Sequence, residues 1–447
     1  MNNKKAINGI LLIYNHPLRH DAPTILEHVD AFPRYSRFKV WTINTEGGFR
    51  RGLQDLRFRI VLLHYSLFGY WPYLQLNKRF LHYLANDKMS YKIAFFQDEY
   101  RFCQPRFDFI NYFGIDCIYT LIEPAYFKDV YQKYSRAKSL IYTIPGYVSV
   151  DLIDRANRLY KPDEDRRIDI GYRSRRLEYY AGKGGQEKTE IALLFSEWSR
   201  NLDLRLDIET EESQRIYGEN WYKFIAECRG VLGVEAGVSI FDTEDRVRKE
   251  YERMLADNPA LCFEEISNRL LCQWEGNVYY RTISPRHFEA AAFRVCQILF
   301  EGKYSGILRP MVHYIPLKKD FSNFAEVIRL FEDKNVRQQL TENAYRDLVA
   351  SGRYSYQNFI TGFDQHLIDK GFNPEINKRH MEEISKTLAK GMLYSKLRTF
   401  MKAIRYYPFP GKAILTNPLK PLVEKYRYYR RGKLENNRRT YRSGGDL

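Results

Sequence analysis

ISPRHFEAAAFRVCQILFEGKYSGIL (residues 283–308) contains, in order, a loop, a helix with a small-residue face, a buried strand and a glycine-rich loop. Three consecutive alanines at positions 290–292 form the small-residue face, and the strand is the apolar run 295–300. A helix that leads directly into a fully apolar strand is typical of a parallel sheet with helices on both faces. The stretch therefore predicts an α/β domain.

The same stretch offers hydrogen-bond donors for an anion at both of its ends. Backbone N–H groups at a helix start or in a glycine-rich loop suit a diphosphate, because they converge and carry partial positive charge. The candidates are Ser284, Arg286 and His287 at the helix start, and Tyr304, Ser305 and Gly306 in the loop. Glu289, in the first turn or so of the helix, can accept hydrogen bonds from two neighbouring hydroxyls, as a ribose offers. The alternative is an ordinary helix with Glu289 exposed.

Apolar runs alternate with helix-like segments over most of the chain. In residues 1–158 the predicted strands are 7–14, 39–43, 59–64, 91–96, 117–120 and 139–143, and a second alternating set occupies residues 168–370. The charged run LYKPDEDRR (159–167) has no apolar period and is the predicted linker. The pattern predicts an α/β fold of two tandem doubly wound parallel-sheet (Rossmann-like) domains, with a ligand cleft at the carboxyl ends of the strands.

Residues 283–308, together with HYIPLKKDFSNFAEVIRLFEDKNVRQQL (313–340), resemble the donor-binding region of nucleotide-sugar glycosyltransferases of the GT-B architecture. Members carry a Glu-Ala-x-Ala-x-Gly helix, a strand and a glycine-rich loop, and the likeness is greatest to a group from bacterial polysaccharide clusters. In this alignment Glu289 corresponds to the ribose-binding glutamate. Two positions depart from the family: Arg281 stands where many retaining members have a glutamate, and Arg294 replaces the glycine after the alanines.

The resemblance also implies the chemistry of the reaction. The substrate would be a nucleotide-diphosphate sugar, and no cofactor or metal would be required. The basic end of the chain and the aromatic run YSLFGYWPY (65–73) favour a polysaccharide or a lipid-linked glycan as the acceptor. The run Asp163-Glu164-Asp165 lies in the charged linker rather than after a strand, so we interpret it as solvated and not as a metal site.

IDIGYRSRRLEYYAGKGGQEK (168–188) begins the second predicted domain with a strand, a basic loop and two glycines before a helix. In the GT-B family a basic residue after this strand and a lysine shortly afterwards hold the donor diphosphate. Arg173 and Lys188 resemble that pair, and their charges would stabilise the diphosphate as the sugar bond breaks. The alternative is a solvated basic loop.

VLGVEAGVSIFD (231–242) is an apolar strand that ends in Glu235 and two small residues. Small residues allow backbone amides to approach a flat ring, so this edge could hold the nucleotide base or the donor sugar. A strand-to-helix turn that is capped by Asp242 explains the pattern equally well.

Polar residues also follow the strands of the first predicted domain. Asp98 and Glu99 come after the strand 91–96, and His64 ends the preceding strand. Such residues face the cleft of a doubly wound sheet, which makes the three candidates for contacting the acceptor. If the reaction inverts the anomeric carbon, Asp98 or Glu99 could be the general base. Caps or ion pairs with Arg101 and Arg106 are the structural alternative.

Positive charge is concentrated near the end of the chain. Of the formal net charge of +16, residues 371–447 carry +12, from 18 Lys and Arg against 6 Asp and Glu. Apolar residues recur at helical spacing among basic ones in 386–410, which predicts a basic amphipathic helix on an anionic membrane. Docking on the protein body, a solvated end and nucleic-acid binding are the alternatives. Because no nucleic-acid-binding motif is present, we do not expect a nucleic-acid partner.

The six cysteines include no C-x-x-C pair, which fits a reducing compartment. We therefore expect a cytoplasmic protein that is peripheral at the inner face of the plasma membrane through its tail. Two other functional classes stay open: a non-catalytic nucleotide-sugar or carbohydrate-binding protein, and a basic peripheral scaffold.

Overall fold

The computed structural model describes residues 6–17, 23–68 and 74–389. The first domain begins with six strands and three helices. In chain order they are β1 (Ile7–Tyr14), α1 (Pro23–Tyr35), β2 (Val40–Asn44), β3 (Phe58–Leu63), α2 (Lys78–Asn86), β4 (Tyr91–Phe95), α3 (Cys103–Phe113), β5 (Cys117–Thr120) and β6 (Ser139–Tyr142). Helix α4 (Val150–Leu159) follows and packs on the second domain, where Leu152 and Ala156 are buried in one apolar cluster with Tyr222 and Phe288. The prediction placed residues 150–158 in the first domain, and the structure differs there.

The first sheet is parallel throughout and has the order β2-β1-β3-β4-β5-β6. In register, Ile10 lies opposite Val40 on one side and Ile60 on the other. Helices cover both faces, so the central strands are apolar on both sides and residues 10–13 of β1 are fully buried. The sheet reverses its winding between β1 and β3.

The second domain begins at β7 (Ile168–Arg173). The following elements are α5 (Lys183–Trp198), β8 (Leu206–Glu209), α6 (Glu219–Glu227), β9 (Cys228–Gly233), β10 (Ala236–Val238), α7 (Arg246–Asp257), α8 (Phe263–Ile266), β11 (Tyr280–Thr282), α9 (Pro285–Ala292), β12 (Cys296–Phe300), β13 (Ile315–Leu317), α10 (Phe324–Glu332) and α11 (Lys334–Ala344). Its main sheet is parallel, with the order β13-β12-β9-β7-β8. The predicted fold class of two tandem doubly wound parallel sheets is confirmed.

An excursion between β9 and α9 packs against the first domain. It contains the antiparallel pair β10–β11, in which Gly237 lies opposite Arg281, and the helices α7 and α8. Val238, Phe241 and Tyr280 are buried in one apolar cluster with first-domain residues. This excursion and its packing were not predicted, because a short antiparallel pair has no distinct sequence period.

The chain returns to the first domain after α11. Helix α12 (Tyr356–Asp369) packs on α1 and the first sheet, and the Asp364 carboxylate accepts hydrogen bonds from Ser36 Oγ (2.7 Å) and Arg37 N (2.6 Å). The prediction assigned residues 356–370 to the second domain, and the structure differs there. Periodicity identified a helix but could not tell which sheet the helix covers.

Helix α13 (Lys378–Ala389) also lies on the first domain. Ile384 and Leu388 are buried in its apolar cluster, and Trp41 Nε1 donates to Ser385 Oγ at 3.1 Å. The start of the predicted amphipathic segment 386–410 therefore docks on the protein body. Residues 390–447 of the predicted tail lie outside the described residues. No helix in the described ranges combines the length and apolar content needed to cross a membrane.

Candidate functional site

A cavity of about 250 Å³ lies at the carboxyl edge of the second sheet, between β7 and β9. The sheet reverses its winding at this point, because β8 lies on one side of β7 and β9 on the other. Such reversal points leave a crevice at the strand ends, where ligands of doubly wound folds bind. The ends of β7 and β9, the first turn of α9 and the start of α6 form the walls.

Cations dominate the polar lining of this cavity. The basic residues on its wall are Arg173, Arg175, Lys188, Arg215 and Arg286. As far as the described chain forms that wall, it contains no Asp or Glu. A concave site with several cations and no carboxylate favours a multiply charged anion.

Lys188, in the second turn of α5, has no ion pair with any residue that the structure describes. Burial lowers the pKa of its ammonium group to about 8, and the charge of Asp98 from the first domain partly opposes that shift. The charges of Arg286, Arg281 and Arg175 lower the pKa further. A buried ammonium surrounded by other cations is unfavourable until an anion binds, so Lys188 is poised for a negatively charged ligand.

Arg173 and Arg286 are held in place by specific contacts. Arg173, the last residue of β7, donates to Asp207 Oδ1 at 2.7 Å and lies over the Phe224 ring at 4.5 Å. Arg286 donates to the backbone carbonyl of Arg173, and its guanidinium lies 4.7 Å from the Trp221 ring centre. The two guanidinium groups are thus fixed at the edge of the sheet before any ligand arrives.

The first turn of α9, at its amino end, lines the same cavity. Ser284 caps the helix by accepting the Arg286 N–H at 3.2 Å, and Pro285 occupies the first helical position, where no N–H is needed. His287 is buried, its Nδ1 lies 2.9 Å from Gln297 Oε1, and burial lowers its pKa to about 4. Its ring is therefore neutral at pH 7. The predicted residues Arg173, Lys188, Ser284, Arg286 and His287 all line this one cavity.

Asp98 is the first-domain candidate that faces this site. It is exposed, follows β4 and has a left-handed φ of 50°. Its charge raises the pKa of the Lys188 ammonium, so the carboxylate lies within electrostatic range of Lys188, although it does not line the cavity. A left-handed conformation at a strand end is uncommon for a residue other than glycine and is found at sites where function fixes the backbone.

Glu99 and His64 do not reach the cleft. Glu99 is fully buried, and its carboxylate accepts hydrogen bonds from Thr120 Oγ1 (2.6 Å), Leu121 N (2.7 Å) and the Tyr131 hydroxyl. His64 is also fully buried, with Nε2 3.0 Å from His28 Nδ1. Its Nδ1 accepts the Ser66 N–H, and burial holds its pKa well below the usual value. Since both side chains are satisfied internally, the structure assigns them structural roles rather than the predicted catalytic ones.

Glu235 and the glycine-rich loop form a separate cluster, in which Glu235 and Tyr304 are buried. The Glu235 carboxylate accepts the Tyr304 N–H at 2.7 Å and the Tyr279 hydroxyl at 2.8 Å. Ser305 Oγ accepts the Ile283 N–H at 3.2 Å. The loop residues Tyr304, Ser305 and Gly306 all have positive φ. The predicted anion role of this loop is therefore taken by the protein's own carboxylate, and none of these four predicted residues lines the cavity.

Arg281, at the position of the family glutamate, belongs to this second cluster. It forms ion pairs with Glu187 and, at 4.0 Å, with Glu235, and Lys319 Nζ binds Glu187 at 2.7 Å. A Cβ on Gly184 would overlap the Arg281 guanidinium, so the glycine at this position makes room for the arginine. The position that the resemblance aligns with a glutamate thus holds an arginine that is neutralised within an ion-pair network.

Glu289 lies next to the cavity rather than in its wall. Its Oε2 accepts a hydrogen bond from Trp221 Nε1 at 2.8 Å, and Trp221 lines the cavity. Burial raises the pKa of Glu289, an effect that the Trp221 bond and the charges of Arg286 and Arg155 oppose. The predicted contact with ribose hydroxyls would require this bond to be shared or broken.

Among the lining residues that sequence reasoning missed are Arg215 and Trp221. Both come from the segment around the start of α6, which carries no recognisable motif. The only available signal was an arginine and an aromatic residue close to a helix start in the predicted nucleotide-binding domain.

No protein-family model matches this sequence, and no curated protein matches it. Several solved structures have a similar chain path. An alpha-glucosyltransferase in complex with UDP-glucose and DNA containing an abasic site is 11% identical, covers 80% of this chain and 99% of its own, and has a TM-score of 0.49. Anabaena HepE in complex with UDP and glucose is 10% identical over 81% and 98% of the two chains, with a TM-score of 0.43. Sucrose-phosphate synthase from Thermosynechococcus elongatus is 12% identical over 81% and 98%, also with a TM-score of 0.43. At these scores it is the two sheets themselves that establish the fold.

Proposed function

We propose that this protein is a glycosyltransferase that moves a sugar from a nucleotide-diphosphate sugar to a glycan acceptor without a metal ion. One observation carries the proposal: a cavity with five cations and the amino end of α9 lies at the reversal point of the second sheet. The exposed Asp98 carboxylate of the first domain lies within electrostatic range of Lys188 in that cavity. The cations suit a diphosphate, and the carboxylate suits an acceptor hydroxyl.

In the proposed reaction the acceptor oxygen attacks the anomeric carbon of the donor sugar. The bond between that carbon and the diphosphate oxygen breaks, the acceptor proton passes to the Asp98 carboxylate, and the diphosphate leaves with both bonding electrons. Lys188, Arg173 and Arg286 stabilise the charge that develops on the diphosphate, which is the role a divalent cation has in metal-dependent transferases. Proton transfer to Asp98 on the face opposite the leaving group goes with inversion of the anomeric carbon.

The first experiment is calorimetric titration with inorganic pyrophosphate and with UDP, GDP, ADP and CDP. We expect the wild type to bind at least one nucleoside diphosphate, and Lys188→Met to weaken that binding by about 10- to 100-fold, the cost of one charge-assisted contact. The matched control is Lys183→Met, five positions earlier on the same helix and exposed. Equal affinities in wild type and Lys188→Met would contradict the proposed site.

A non-catalytic nucleotide-sugar-binding protein is the second candidate. It is favoured by Arg281, which stands where many retaining members of the family have a glutamate and is neutralised by Glu187. The two candidates differ in turnover. Mixing the nucleotide sugars of the bound base with glycan acceptors and measuring release of nucleoside diphosphate separates them, because a binding protein would release none above the rate without protein.

The acceptor and the membrane contact are part of the proposal. A polysaccharide or a lipid-linked glycan is the acceptor that fits a cytoplasmic enzyme with a basic tail, and 12 of the 16 net positive charges fall in residues 371–447. Deletion of residues 390–447 spares α13 and its contacts with the first domain. We expect the deletion to abolish sedimentation with vesicles that contain anionic lipid. Unchanged sedimentation would remove the membrane contact from the proposal.

A further inference from the structure

A chain of contacts connects Glu289 to the cavity through an aromatic ring. Glu289 Oε2 accepts the Trp221 indole N–H at 2.8 Å, and the indole ring supports the Arg286 guanidinium at 4.7 Å. Arg286 in turn donates to the backbone carbonyl of Arg173, and both arginines line the cavity. Each member is thus held by the one before it.

Three residues of this chain of contacts differ in how far they are buried. Glu289 is 6% exposed and lies behind the wall, whereas Trp221 is half-buried and Arg286 is exposed at the cavity. Glu289 is not among the residues that line the cavity. A ligand in the cavity therefore meets Trp221 and Arg286 before it can meet the carboxylate.

We propose that Glu289 is a positioning residue, which orients the Trp221 indole and through it the anion-binding Arg286, and that it does not bind the ribose hydroxyls of the donor. This inference rests on the proposed function only for its choice of ligands. A planar guanidinium stacked on an indole keeps its N–H donors directed along the ring plane, which pre-orders them for a phosphate group. The hydrogen bond from Trp221 to Glu289 fixes the rotation of that ring.

A double-mutant cycle on Glu289 and Trp221 tests the proposal with inorganic pyrophosphate, which has no ribose. We expect Glu289→Ala and Trp221→Phe each to weaken pyrophosphate binding by about 5- to 10-fold, and the double variant to be no weaker than either single variant. Phenylalanine keeps a ring but lacks the N–H that Glu289 accepts. Additive losses, or no loss of pyrophosphate affinity in Glu289→Ala, would overturn the proposal.

Glu289→Gln separates a positioning role from ribose binding, and also covers the case in which Glu289→Ala fails to fold. Glutamine keeps an acceptor for the indole N–H, so pyrophosphate binding should stay within about 2-fold of the wild type. The ratio of affinities for UDP and 2′-deoxy-UDP, or for the corresponding pair with the preferred base, should also be unchanged. A Glu289→Gln protein that loses affinity for the ribonucleotide but not for the deoxyribonucleotide would show ribose binding and overturn the proposal.

Two controls complete the experiment. Glu342→Ala removes a half-exposed carboxylate that pairs with Arg294 away from the cavity, and it should leave every affinity unchanged. Tryptophan emission of the wild type minus that of Trp221→Phe reports the indole directly, and Glu289→Ala should shift this difference spectrum whereas Glu289→Gln should not. If the wild type binds none of the diphosphates, the proposed function fails; if it binds them and the cycle is additive, only this inference fails.

Discussion

At the carboxyl edge of the first sheet, Glu99 and His64 bind other groups of the protein, whereas basic residues at the same edge of the second sheet line a cavity. Glu99 and His64 are fully buried and fully partnered in the first domain. Lys188 in the second domain has no ion pair within the described chain, and its pKa is lowered to about 8. The two edges have the same topology, so position at a strand end does not by itself make a functional residue. An unsatisfied charge beside a cavity is the more informative signal.

Glu99→Ala gives the largest expected effect and tests the structural side of this comparison. The substitution leaves the Thr120 hydroxyl, the Leu121 N–H and the Tyr131 hydroxyl without their acceptor. We expect the free energy of unfolding in a chemical denaturation experiment to fall by roughly 3–5 kcal/mol. Pyrophosphate affinity of the folded protein should not change. A loss below about 1 kcal/mol would show that the carboxylate is dispensable there.

Asp98→Asn is expected to act on turnover and not on stability. Asparagine tolerates the left-handed conformation at this position, and the side chain is exposed, so the free energy of unfolding should stay within about 0.5 kcal/mol. Removal of a general base should lower the transfer rate by about 100-fold or more, with little change in donor affinity. Asp108→Asn, an exposed carboxylate of α3, is the control. Transfer at the wild-type rate would show that a group other than Asp98 takes the proton of the acceptor hydroxyl.

Much of the fold could be predicted because buried parallel strands are apolar on both faces. Each strand is therefore recognisable as an apolar run in its own stretch of sequence. All six strands of the first sheet were found within a residue or so of their bounds. Among the second-domain candidates, Arg173 ends β7 and Lys188 lies on α5, the helix that follows, and both line one cavity with the start of α9. The sequence could predict that these residues lie together, because the carboxyl ends of parallel strands meet at one edge of the sheet.

Most of the remaining candidates do not line the cavity, for a common reason. The sequence does not show whether a polar side chain at a strand end points outward or finds a partner in the core. Glu99 accepts a hydrogen bond from the Tyr131 hydroxyl, and Glu235 accepts one from the Tyr304 N–H. Glu289 accepts one from the Trp221 indole, which is 68 residues away along the chain. Each partner comes from a separate element, and only the packed structure brings the two together.

Glu27→Gln tests the contact between α1 of the first domain and the region of Glu289 in the second domain. Glu27 of α1 is largely buried near Glu289, and burial followed by the Glu289 charge raises the pKa of Glu27 from 4.5 to about 7. A raised pKa means that the folded state binds the proton more tightly than the unfolded chain. The stability that the proton provides is therefore complete below pH 4.5 and is lost as the pH rises to 7.

We expect Glu27→Gln to remove the loss of stability between pH 4.5 and 7, because glutamine has no proton to lose. At pH 8 the variant should be more stable than the wild type by on the order of 2–3 kcal/mol, and the difference should disappear near pH 4. Denaturant titrations at several pH values measure it. Glu197→Gln, at an exposed position on α5, is the control. A pH-independent difference for Glu27→Gln would mean that the residue acts by packing alone.

The pH dependence of anion binding gives the smallest expected effect and tests the functional side of the comparison. In the unliganded protein Lys188 loses its proton near pH 8, because burial lowers its pKa. A bound diphosphate favours the ammonium form and raises that pKa again, so binding above pH 8 requires uptake of a proton. The affinity of the wild type for pyrophosphate, divided by that of Lys188→Met, should be nearly constant between pH 7 and 7.5 and then fall toward 1 as Lys188 is deprotonated. Pyrophosphate itself loses a proton in this range, and the ratio cancels that effect because both proteins bind the same ligand. The affinity of Lys183→Met divided by that of Lys188→Met should fall in the same way. A ratio of wild type to Lys188→Met that stays flat up to pH 9.5 would contradict the direct contact between Lys188 and the anion.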